Sequence, residues 1–233
     1  MLISLDRKLF SSSMFTGIIE TTGIIKKIEK KETNISFYIK SNIIDKIKIG
    51  DSVSHNGVCL TIEEIILPDM YRVTAIRETL SKTNLGLCSE SSTINIECSL
   101  SANGKIDGHF VQGHVDCVGI VYKKISKNGS YEFQILYPNS FNYLVIPRGS
   151  IALDGISLTI SSIEDIIYKK EDIQFLINNF ELTYPEYLSL FVNIIPHTYN
   201  ITNIKTWEQG SIVNIEFDIL GKYIYRFFEV SKK

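Results

Sequence analysis

Apolar and polar residues alternate in short runs along most of the chain, and residues that favour turns separate the runs. The alternation is typical of strands of about 4–7 residues, since side chains on a strand point to its two faces in turn. In the first half it predicts strands at Ile35–Ile39, Ser52–Ser54, Cys59–Ile65, Tyr71–Ile76 and Thr93–Glu97. In the second half it predicts strands at Val118–Lys123, Glu132–Ile135, Ser150–Ala152, Ser157–Ile163, Leu190–Ile195 and Ile212–Phe217. Many short strands at this spacing indicate an all-β fold, either an antiparallel barrel or a sandwich.

One pattern of strand, turn and strand occurs twice. Residues 52–62 read SVSHNGVCLTI and residues 150–160 read SIALDGISLTI, at a constant offset of 98 positions. Asn-Gly or Asp-Gly between two such runs predicts a tight hairpin, because Gly supplies the positive φ that the turn requires. Each hairpin then places a thiol or hydroxyl, at Cys59 or Ser157, just past its turn.

The repeat extends in both directions from these hairpins. Residues 17–24 align with residues 113–120 at an offset of 96, and Asn95-Ile96-Glu97 aligns with Asn214-Ile215-Glu216 at an offset of 119. The larger offset places an insertion of 21 residues in the second copy, near 169–186, where an extended hairpin and a surface helix are equally compatible with the sequence. A period near one hundred residues is too long for a solenoid, whose repeats run about 20–50 residues. The sequence therefore predicts two tandem copies of one domain.

The repeat and its flanking segments divide the chain into four parts. We expect a first barrel at 14–107, a second barrel at 108–218 and a helix at 219–233. From Leu220 to Phe228 apolar residues recur at helical spacing, and this stripe either packs on the chain's own barrel or pairs with other subunits. Residues 1–13 are expected to be a disordered extension or to precede the true start at Met14, rather than to form a targeting peptide.

Composition and charge exclude several classes of function. A net charge of −2 provides no general attraction to nucleic acid, and no apolar run approaches the roughly 20 residues of a membrane helix. The four cysteines form no Cys-x-x-Cys pair and follow no secretory segment, so reduced thiols in the cytoplasm are expected. His109 and His114 have no third ligand nearby in the sequence, so no metal site is predicted.

Alignment of the two copies indicates a duplicated pocket with unequal chemistry. It pairs Cys59 with Ser157, Asn56 with Asp154, Ile18 with His114 and Glu78 with His197, while Thr61 and Thr159 are the same. Two similar pockets suit a ligand that binds twice, and unequal side chains suit a reaction in which the two molecules have different roles. A lone cysteine is more often a small buried apolar residue than a nucleophile, and Asp before Gly often only shapes a turn. The functional interpretation depends on their recurrence together.

Five motifs follow one another along the chain: MFTGIIE at 14–20, NGVCLT at 56–61, ETL at 78–80 with TNLG at 83–86, GHFVQGHVD at 108–116 and DGISLT at 154–159. Together they resemble the riboflavin synthase alpha-chain family, over Met14 to about Phe228 apart from the insertion. The resemblance implies an all-β fold of two tandem, similar six-stranded antiparallel Greek-key barrels, with a C-terminal α-helix that assembles a homotrimer.

The resemblance also implies an activity, that of a transferase. One molecule of 6,7-dimethyl-8-ribityllumazine would give a four-carbon unit to a second, yielding riboflavin and 5-amino-6-(D-ribitylamino)uracil in the last step of riboflavin biosynthesis, with no cofactor. In this family the active site forms between the N-terminal barrel of one subunit and the C-terminal barrel of its neighbour. Lumazine synthase is a candidate partner.

The site residues implied by position fall into two sets. The first pocket would use Gly17, Ile18, Ile19, Cys59, Leu60, Thr61, Thr74, Ala75, Ile76, Arg77, Glu78 and Thr79. The second would use Gly113, His114, Val115, Arg148, Ser157, Leu158, Thr159, Ile195, Pro196, His197, Thr198, Tyr199 and Asn200. Cys59, His114, Asp154 and Ser157 are the candidates for proton transfer or transient addition. Arg148 stands where the family commonly has Lys, and the insertion could cap the second pocket.

Three other functions remain as alternatives. The nearest is a non-catalytic lumazine- or flavin-binding antenna or storage protein of the same fold; such relatives lose catalytic side chains in one barrel, whereas this chain has candidates in both copies. A flavin reductase would need a nicotinamide-binding βαβ unit with a Gly-rich turn. A nucleic-acid-binding barrel would need a basic face with exposed aromatic residues.

Overall fold

The computed structural model describes residues 14–177 and 180–232, and the predicted extension at 1–13 lies outside them. The first half forms a seven-stranded antiparallel sheet in the order β4-β3-β7-β1-β2-β6-β5. Its strands are β1 (Thr21–Lys31), β2 (Asn34–Lys40), β3 (Ser52–His55), β4 (Val58–Thr61), β5 (Glu64–Ile66), β6 (Met70–Ala75) and β7 (Thr93–Cys98). The sheet encloses a core to which Phe37, Val53, Tyr71 and Ile96 contribute fully buried side chains.

The two edge strands of this sheet, β4 and β5, are consecutive in the chain. Between them the backbone changes partner: the N–H of Ile62 donates to Asp51, and the N–H of Glu63 donates to Arg72, each at 2.9 Å. The predicted strand Cys59–Ile65 is therefore interrupted, and its halves pair with opposite ends of the sheet. The sheet curls round so that β4 and β5 together occupy one strand position.

The second half forms a closed barrel in the order β10-β11-β12-β9-β8-β13. Its strands are β8 (Cys117–Lys127), β9 (Ser130–Pro138), β10 (Ser150–Leu153), β11 (Ile156–Lys169), β12 (Glu186–Ile194) and β13 (Ile212–Phe217). In both halves the first strand pairs with the second and the sixth, and the second pairs with the fifth, if β4 and β5 count as one strand. The prediction of two similar all-β barrels is confirmed.

Strand β1 was not among the predicted strands of the first half. A register shift between Ile25 and Lys27 interrupts the two-residue alternation, so the apolar pattern changes phase there. Its counterpart β8 carries a similar shift between Val121 and Lys123. The strand predicted there, Val118–Lys123, accordingly ends at the shift, although β8 continues to Lys127. A bulge of this kind ends the strict alternation on which the prediction depends.

Short helices follow the fifth strand position in each half. Helix α1 (Arg77–Lys82) precedes a 3₁₀ turn at Asn84–Leu87, and helix α3 (Pro196–Ile201) precedes a 3₁₀ turn at Asn203–Thr206. Further 3₁₀ turns lie at Ile44–Lys46 and Asn139–Leu144. A short helix followed by a 3₁₀ turn is therefore present in both copies.

The insertion combines the two structures that fit its sequence. It lengthens β11 and β12 into a hairpin and adds helix α2 (Lys170–Ile173) with a 3₁₀ turn at Gln174–Leu176. Ile173, Ile177 and Leu182 pack with Ile120 and Leu136, in a cluster separate from the barrel core. The described part of the insertion therefore covers the outside of the second barrel.

The C-terminal helix is present as predicted. Helix α4 (Ile219–Ser231) begins at Asp218, whose carboxylate accepts from the N–H of Leu220 at 3.0 Å. It contacts its own chain through a stacked pair of rings, Tyr143 and Tyr225, at 3.8 Å. Its apolar stripe nevertheless stays exposed, since Phe227 is 72% accessible and no residue of the helix is buried. Among the described residues, no helix has both the length and the apolar character needed to cross a membrane.

Candidate functional site

The two Gly-containing hairpins meet each other where the barrels contact. Asn56 and Asp154 adopt positive φ angles of 48° and 45°, and the glycines that follow have φ of 78° and 77°. A Cβ added at Gly57 would lie 2.7 Å from the backbone nitrogen of Gly155, so only glycine permits this approach. The hairpins are therefore related by an approximate two-fold axis that passes between the glycines.

A network of buried amides and one carboxylate joins the barrels around this axis. The N–H of Asn84 donates to the side chain of Asn214, and the N–H of Asn203 donates to that of Asn95, both at 2.7 Å. Asp154 accepts from the side chains of Asn84 and Asn203, each at 2.9 Å, and from the N–H of Asn214 at 2.8 Å. Burial raises the pKa of Asp154 to about 6, although its hydrogen bonds favour the charged form. The structure thus places this predicted catalytic residue between the barrels.

The first pocket surrounds Cys59. Cys59 and Thr61 are less buried than Val58 and Leu60, the core-facing residues with which they alternate along β4. A cavity of about 260 Å³ is lined by Val58, Cys59, Glu78, Thr79, Lys82, Thr83, Gly113, His114 and Val115. The N–H of Cys59 donates to the carbonyl of Gly113 at 2.9 Å, which fixes the loop that carries His114 beside the thiol.

Ser157 of the second barrel is covered by a loop in the same way as Cys59. The N–H of Ser157 donates to the carbonyl of Gly17 at 2.8 Å, and Gly17 has a φ of 75°. A Cβ added at Gly17 would lie 2.6 Å from the Cβ of Ser157. The equivalent approach of Gly113 to Cys59 is also 2.6 Å. Glycine is therefore required in both loops for the same close contact.

These contacts correct the predicted grouping of the loops. We expected Gly17 with Cys59 and Gly113 with Ser157, because each pair belongs to one copy of the repeat. In the structure the loops are exchanged: Gly17 lies on Ser157 of the second barrel, and Gly113 and His114 lie on Cys59 of the first. The backbone explains the exchange, since Phe15 and Val111 pair with each other and carry both loops across the barrel boundary.

His109 is a site residue that the sequence did not single out for catalysis. Its Nδ1 lies 2.7 Å from the hydroxyl of Ser157, and its ring is 9% exposed. Burial lowers the pKa of His109, so the neutral imidazole predominates near pH 7 and can accept the serine proton. Its Nε2 is buried without a hydrogen-bond partner among the described residues. The sequence feature that could have identified His109 as a site residue is its place in the motif GHFVQGHVD.

Two glutamates hold the exchanged loops. Glu97 accepts from the backbone N–H groups of Thr16 and Gly17, at 2.7 and 2.9 Å. Glu216 accepts from those of Gln112, Gly113 and His114, at 2.7, 2.9 and 3.0 Å. Burial raises the pKa of Glu97 to about 7 and also raises that of Glu216. Sequence reasoning aligned these two residues but assigned them no role.

The other predicted binding residues divide between the core and the surface. Leu60 and Ala75 belong to the core of the first barrel, and Leu158 packs against that of the second. Thr74 bonds to Ser36 at 2.9 Å and to Glu63 at 2.8 Å. Exposed residues are Ile18, Thr61, Ile76, Arg77, Glu78, His114, Arg148, Thr159, Ile195, Pro196, His197 and Asn200.

The remaining predicted residues lie in the second core, in a ring stack, in the wall of the first cavity and in helix α3. Ile19 joins the second core, and Tyr199 stacks on Tyr131 with their centroids 3.7 Å apart. Thr79 and Val115 line the first cavity, and Thr198 accepts from Thr202 through its carbonyl at 2.8 Å. Within 14–177 and 180–232, no group of three His, Cys, Asp or Glu side chains is arranged to hold a metal ion.

Comparisons with known sequences identify relatives over nearly the whole chain. A family model described as the lumazine binding domain matches residues 16–99 and again 112–218. A riboflavin synthase of Bacillus amyloliquefaciens is 34% identical over 221 residues, covering 94% of this chain and 92% of the relative. A riboflavin synthase of Actinobacillus pleuropneumoniae is also 34% identical, covering 92% and 89% of the two chains.

Solved structures with the same fold bind flavin-like compounds. LumP complexed with 6,7-dimethyl-8-(1'-D-ribityl) lumazine has a TM-score of 0.70 and 22% identity, covering 87% of this chain and 98% of that one. LumP complexed with riboflavin has a TM-score of 0.71 and 23% identity. At this level of identity the likeness establishes a shared fold.

Proposed function

The chain belongs to the riboflavin synthase family, and we propose that it catalyses the transfer of a four-carbon unit between two molecules of 6,7-dimethyl-8-ribityllumazine. The products would be riboflavin and 5-amino-6-(D-ribitylamino)uracil, formed without a cofactor. One observation supports the proposal: two hairpins are each covered by a loop in the same way and carry different reactive groups. Cys59 faces the loop of His114 at the first hairpin, and Ser157 bonds to His109 at the second.

The reactive groups suit the two halves of such a reaction. One lumazine must lose a proton from an acidified ring methyl, and the other must accept a nucleophile at its ring. Ser157 with neutral His109 is a base-assisted pair for proton removal, because His109 can hold the proton that the hydroxyl relays. Cys59 and His114 are the groups for transient addition and proton transfer in the other pocket. Asp154 would act through the hairpins that it joins, since its carboxylate accepts from Asn84 of the first barrel and from Asn203 of the second.

The ring stack itself would provide much of the rate. Two aromatic molecules held in register react as though at effective concentrations of about 10⁵ M or more. Thr61 and Thr159 lie exposed two positions beyond Cys59 and Ser157, where they would anchor polar edges of the substrates. A fixed pocket for each molecule therefore serves orientation as well as chemistry.

A homotrimer would bring unlike pockets of neighbouring chains face to face. The cavity beside Cys59 is about 260 Å³, below the roughly 300–1,000 Å³ of complete small-molecule sites. A second surface is needed to enclose a ligand there. The exposed stripe of α4 is the surface through which we propose that the chains assemble. We include a cytoplasmic location and lumazine synthase as a candidate partner in the proposal.

The assay is direct. Purified protein is mixed with 6,7-dimethyl-8-ribityllumazine alone, and riboflavin is followed by its absorbance. We expect formation at a rate proportional to protein, and a loss of at least about 100-fold in Ser157→Ala, which removes the hydroxyl from His109. Tight binding without turnover would instead assign the chain to the antenna or storage proteins of this fold.

A further inference from the structure

Each loop that lies over a pocket is held by a carboxylate rooted in the opposite barrel. Glu97 is on β7 of the first barrel and binds the loop 16–17, which lies on Ser157 of the second. Glu216 is on β13 of the second barrel and binds the loop 112–114, which lies on Cys59 of the first. We infer that Glu97 and Glu216 are positioning residues, each of which sets the geometry of the pocket in the other barrel.

The two anchors are built alike although their loops differ in sequence. Both carboxylates use two oxygens to accept from successive backbone N–H groups, and both are nearly buried, at 4% and 3% exposure. In the second copy the third N–H, that of His114, bonds directly to Glu216. In the first copy Thr16 intervenes: its hydroxyl donates to Glu97 at 2.8 Å and accepts from the N–H of Ile18 at 3.3 Å. The same backbone turn is therefore fixed in both loops.

The strands that carry the glutamates are themselves fixed at the barrel boundary. Two residues before Glu97, on the same face of β7, Asn95 donates to the carbonyl of Asp154 at 3.0 Å. Two residues before Glu216, Asn214 donates to the carbonyl of Asn56 at 2.8 Å. In each copy of the recurring Asn-x-Glu sequence, the asparagine therefore hydrogen-bonds to the other barrel. The glutamate two residues later holds the loop at a fixed position relative to that contact.

A carboxylate is the group that this geometry requires. All of its lone pairs accept, whereas a glutamine would turn an N–H₂ group toward backbone donors that have no other partner. Glu→Gln preserves side-chain size, so it disturbs the loop with little change in packing. Aspartate is one methylene shorter and cannot reach the same N–H groups without moving the loop.

A displaced loop should slow the reaction more than it weakens substrate binding. This expectation rests on the proposed function, because that function defines the reaction whose kcat is measured. Under that function Glu216→Gln and Glu97→Gln should each lower kcat by about 10- to 100-fold, with a smaller change in KM, because misplacing a reacting group by about 1 Å costs this much. A loss confined to stability would lower the amount of folded protein and leave kcat per folded chain unchanged.

The decisive test does not require turnover. Iodoacetamide alkylates exposed thiols, and mass spectrometry of peptides measures the rate at each of Cys59, Cys88, Cys98 and Cys117. We expect Glu216→Gln to raise the rate at Cys59 by about tenfold, since the loop of Gly113 covers it less tightly. Cys88, which is not among the residues that line the cavity beside Cys59, should keep its wild-type rate; Cys117 is no control, because it lies only three residues beyond His114.

Glu97→Gln is the matched control, because it makes the same chemical change in the barrel that contains Cys59. It should leave the alkylation rate of Cys59 unaltered. The reciprocal experiment uses Cys59→Ser with Ser157→Cys as the reporter; there Glu97→Gln should accelerate alkylation and Glu216→Gln should not. Equal acceleration of alkylation at every cysteine would show that the variant is globally destabilised, and this result would contradict the inference. The inference would be overturned if each Glu→Gln change accelerated alkylation of the reporter cysteine in the barrel that carries that glutamate. Unchanged alkylation of both reporter cysteines would overturn it as well.

Discussion

Cys59 and Ser157 occupy equivalent places in their hairpins but face different neighbours. The thiol lies beside the exposed loop of His114, whereas the hydroxyl bonds to the buried imidazole of His109. The counterpart of His109 in the first copy is Ser13, which lies outside the described residues. Under the proposed reaction, the different roles of Cys59 and Ser157 would therefore depend on the neighbouring histidine as much as on the hairpin residue itself.

Cys59→Ser tests whether the thiol is reactive. The change keeps the size and makes the hairpin resemble the second copy, so the pocket should still bind. We expect turnover to fall by at least about 100-fold, while the affinity for riboflavin, measured by fluorescence quenching, changes by less than about threefold. Equal losses in turnover and affinity would show that Cys59 only packs.

His55 makes the stability of the first barrel depend on pH. It is fully buried, its Nε2 lies 2.9 Å from the hydroxyl of Tyr71, and burial lowers its pKa to about 4. The folded state therefore binds fewer protons than the unfolded state, whose histidine has a pKa of about 6.5, and stability is lost as pH falls from about 6.5 to 4. The counterpart residues in the second barrel are Leu153 and Leu190, which carry no charge.

The prediction concerns the difference between two proteins. Between pH 7 and pH 4 the wild type should lose about 3 kcal/mol more unfolding free energy than His55→Leu/Tyr71→Leu, which copies the second barrel. Urea unfolding at each pH gives the two values, and other titrating groups cancel in the comparison. Parallel pH profiles for the two proteins would show that His55 does not titrate in this range.

At the scale of elements, hydrophobic pattern and turn chemistry predicted most strands and both hairpins. The Asn-Gly and Asp-Gly turns appear as positive-φ pairs at 56–57 and 154–155. Strand β1 was not predicted, because its bulge interrupts the alternation of apolar and polar residues. The break between β4 and β5 was not predicted either, because apolar residues occur on both sides of it. Such features depend on which strand lies alongside, which a local pattern does not contain.

The exchange of the two loops is the feature least accessible from sequence. Each loop belongs to one copy of the repeat and touches the hairpin of the other. Contacts separated by this much chain are set by the packing of the barrels and by the buried hydrogen bonds of Glu97 and Glu216. The contacts of Gly17 with Ser157 and of Gly113 with Cys59 could therefore not be predicted from the repeat alone.

Helix α4 provides a test of assembly at this scale. Phe227 lies on the exposed stripe, and Glu229 lies two positions along, on the opposite side of the helix. Phe227→Asp should dissociate the proposed oligomer and reduce turnover together, since a charge opposes burial of the stripe. Glu229→Ala should change neither. Light scattering coupled to size separation measures the assembly, and a fully active monomer of Phe227→Asp would contradict the assembly proposal.

For the whole molecule, duplication explains why a single chain presents two unlike sites. The approximate two-fold axis between Gly57 and Gly155 gives both hairpins and their covering loops one architecture, while Cys59, Ser157 and their neighbouring histidines make them different. The proposed reaction between two copies of one substrate would use this combination. The insertion packs outside the second barrel, so the predicted role as a cap on the second pocket remains a prediction.

The central claim is that one substrate is used twice, and the most direct measurement is the ratio of substrate consumed to riboflavin formed. Purified protein and 6,7-dimethyl-8-ribityllumazine are incubated with no other reactant, and both compounds are quantified by chromatography as the reaction proceeds. The account predicts two lumazines consumed for each riboflavin, with the pyrimidine product in equal amount to riboflavin. A ratio of one, or the absence of riboflavin despite bound lumazine, would contradict it.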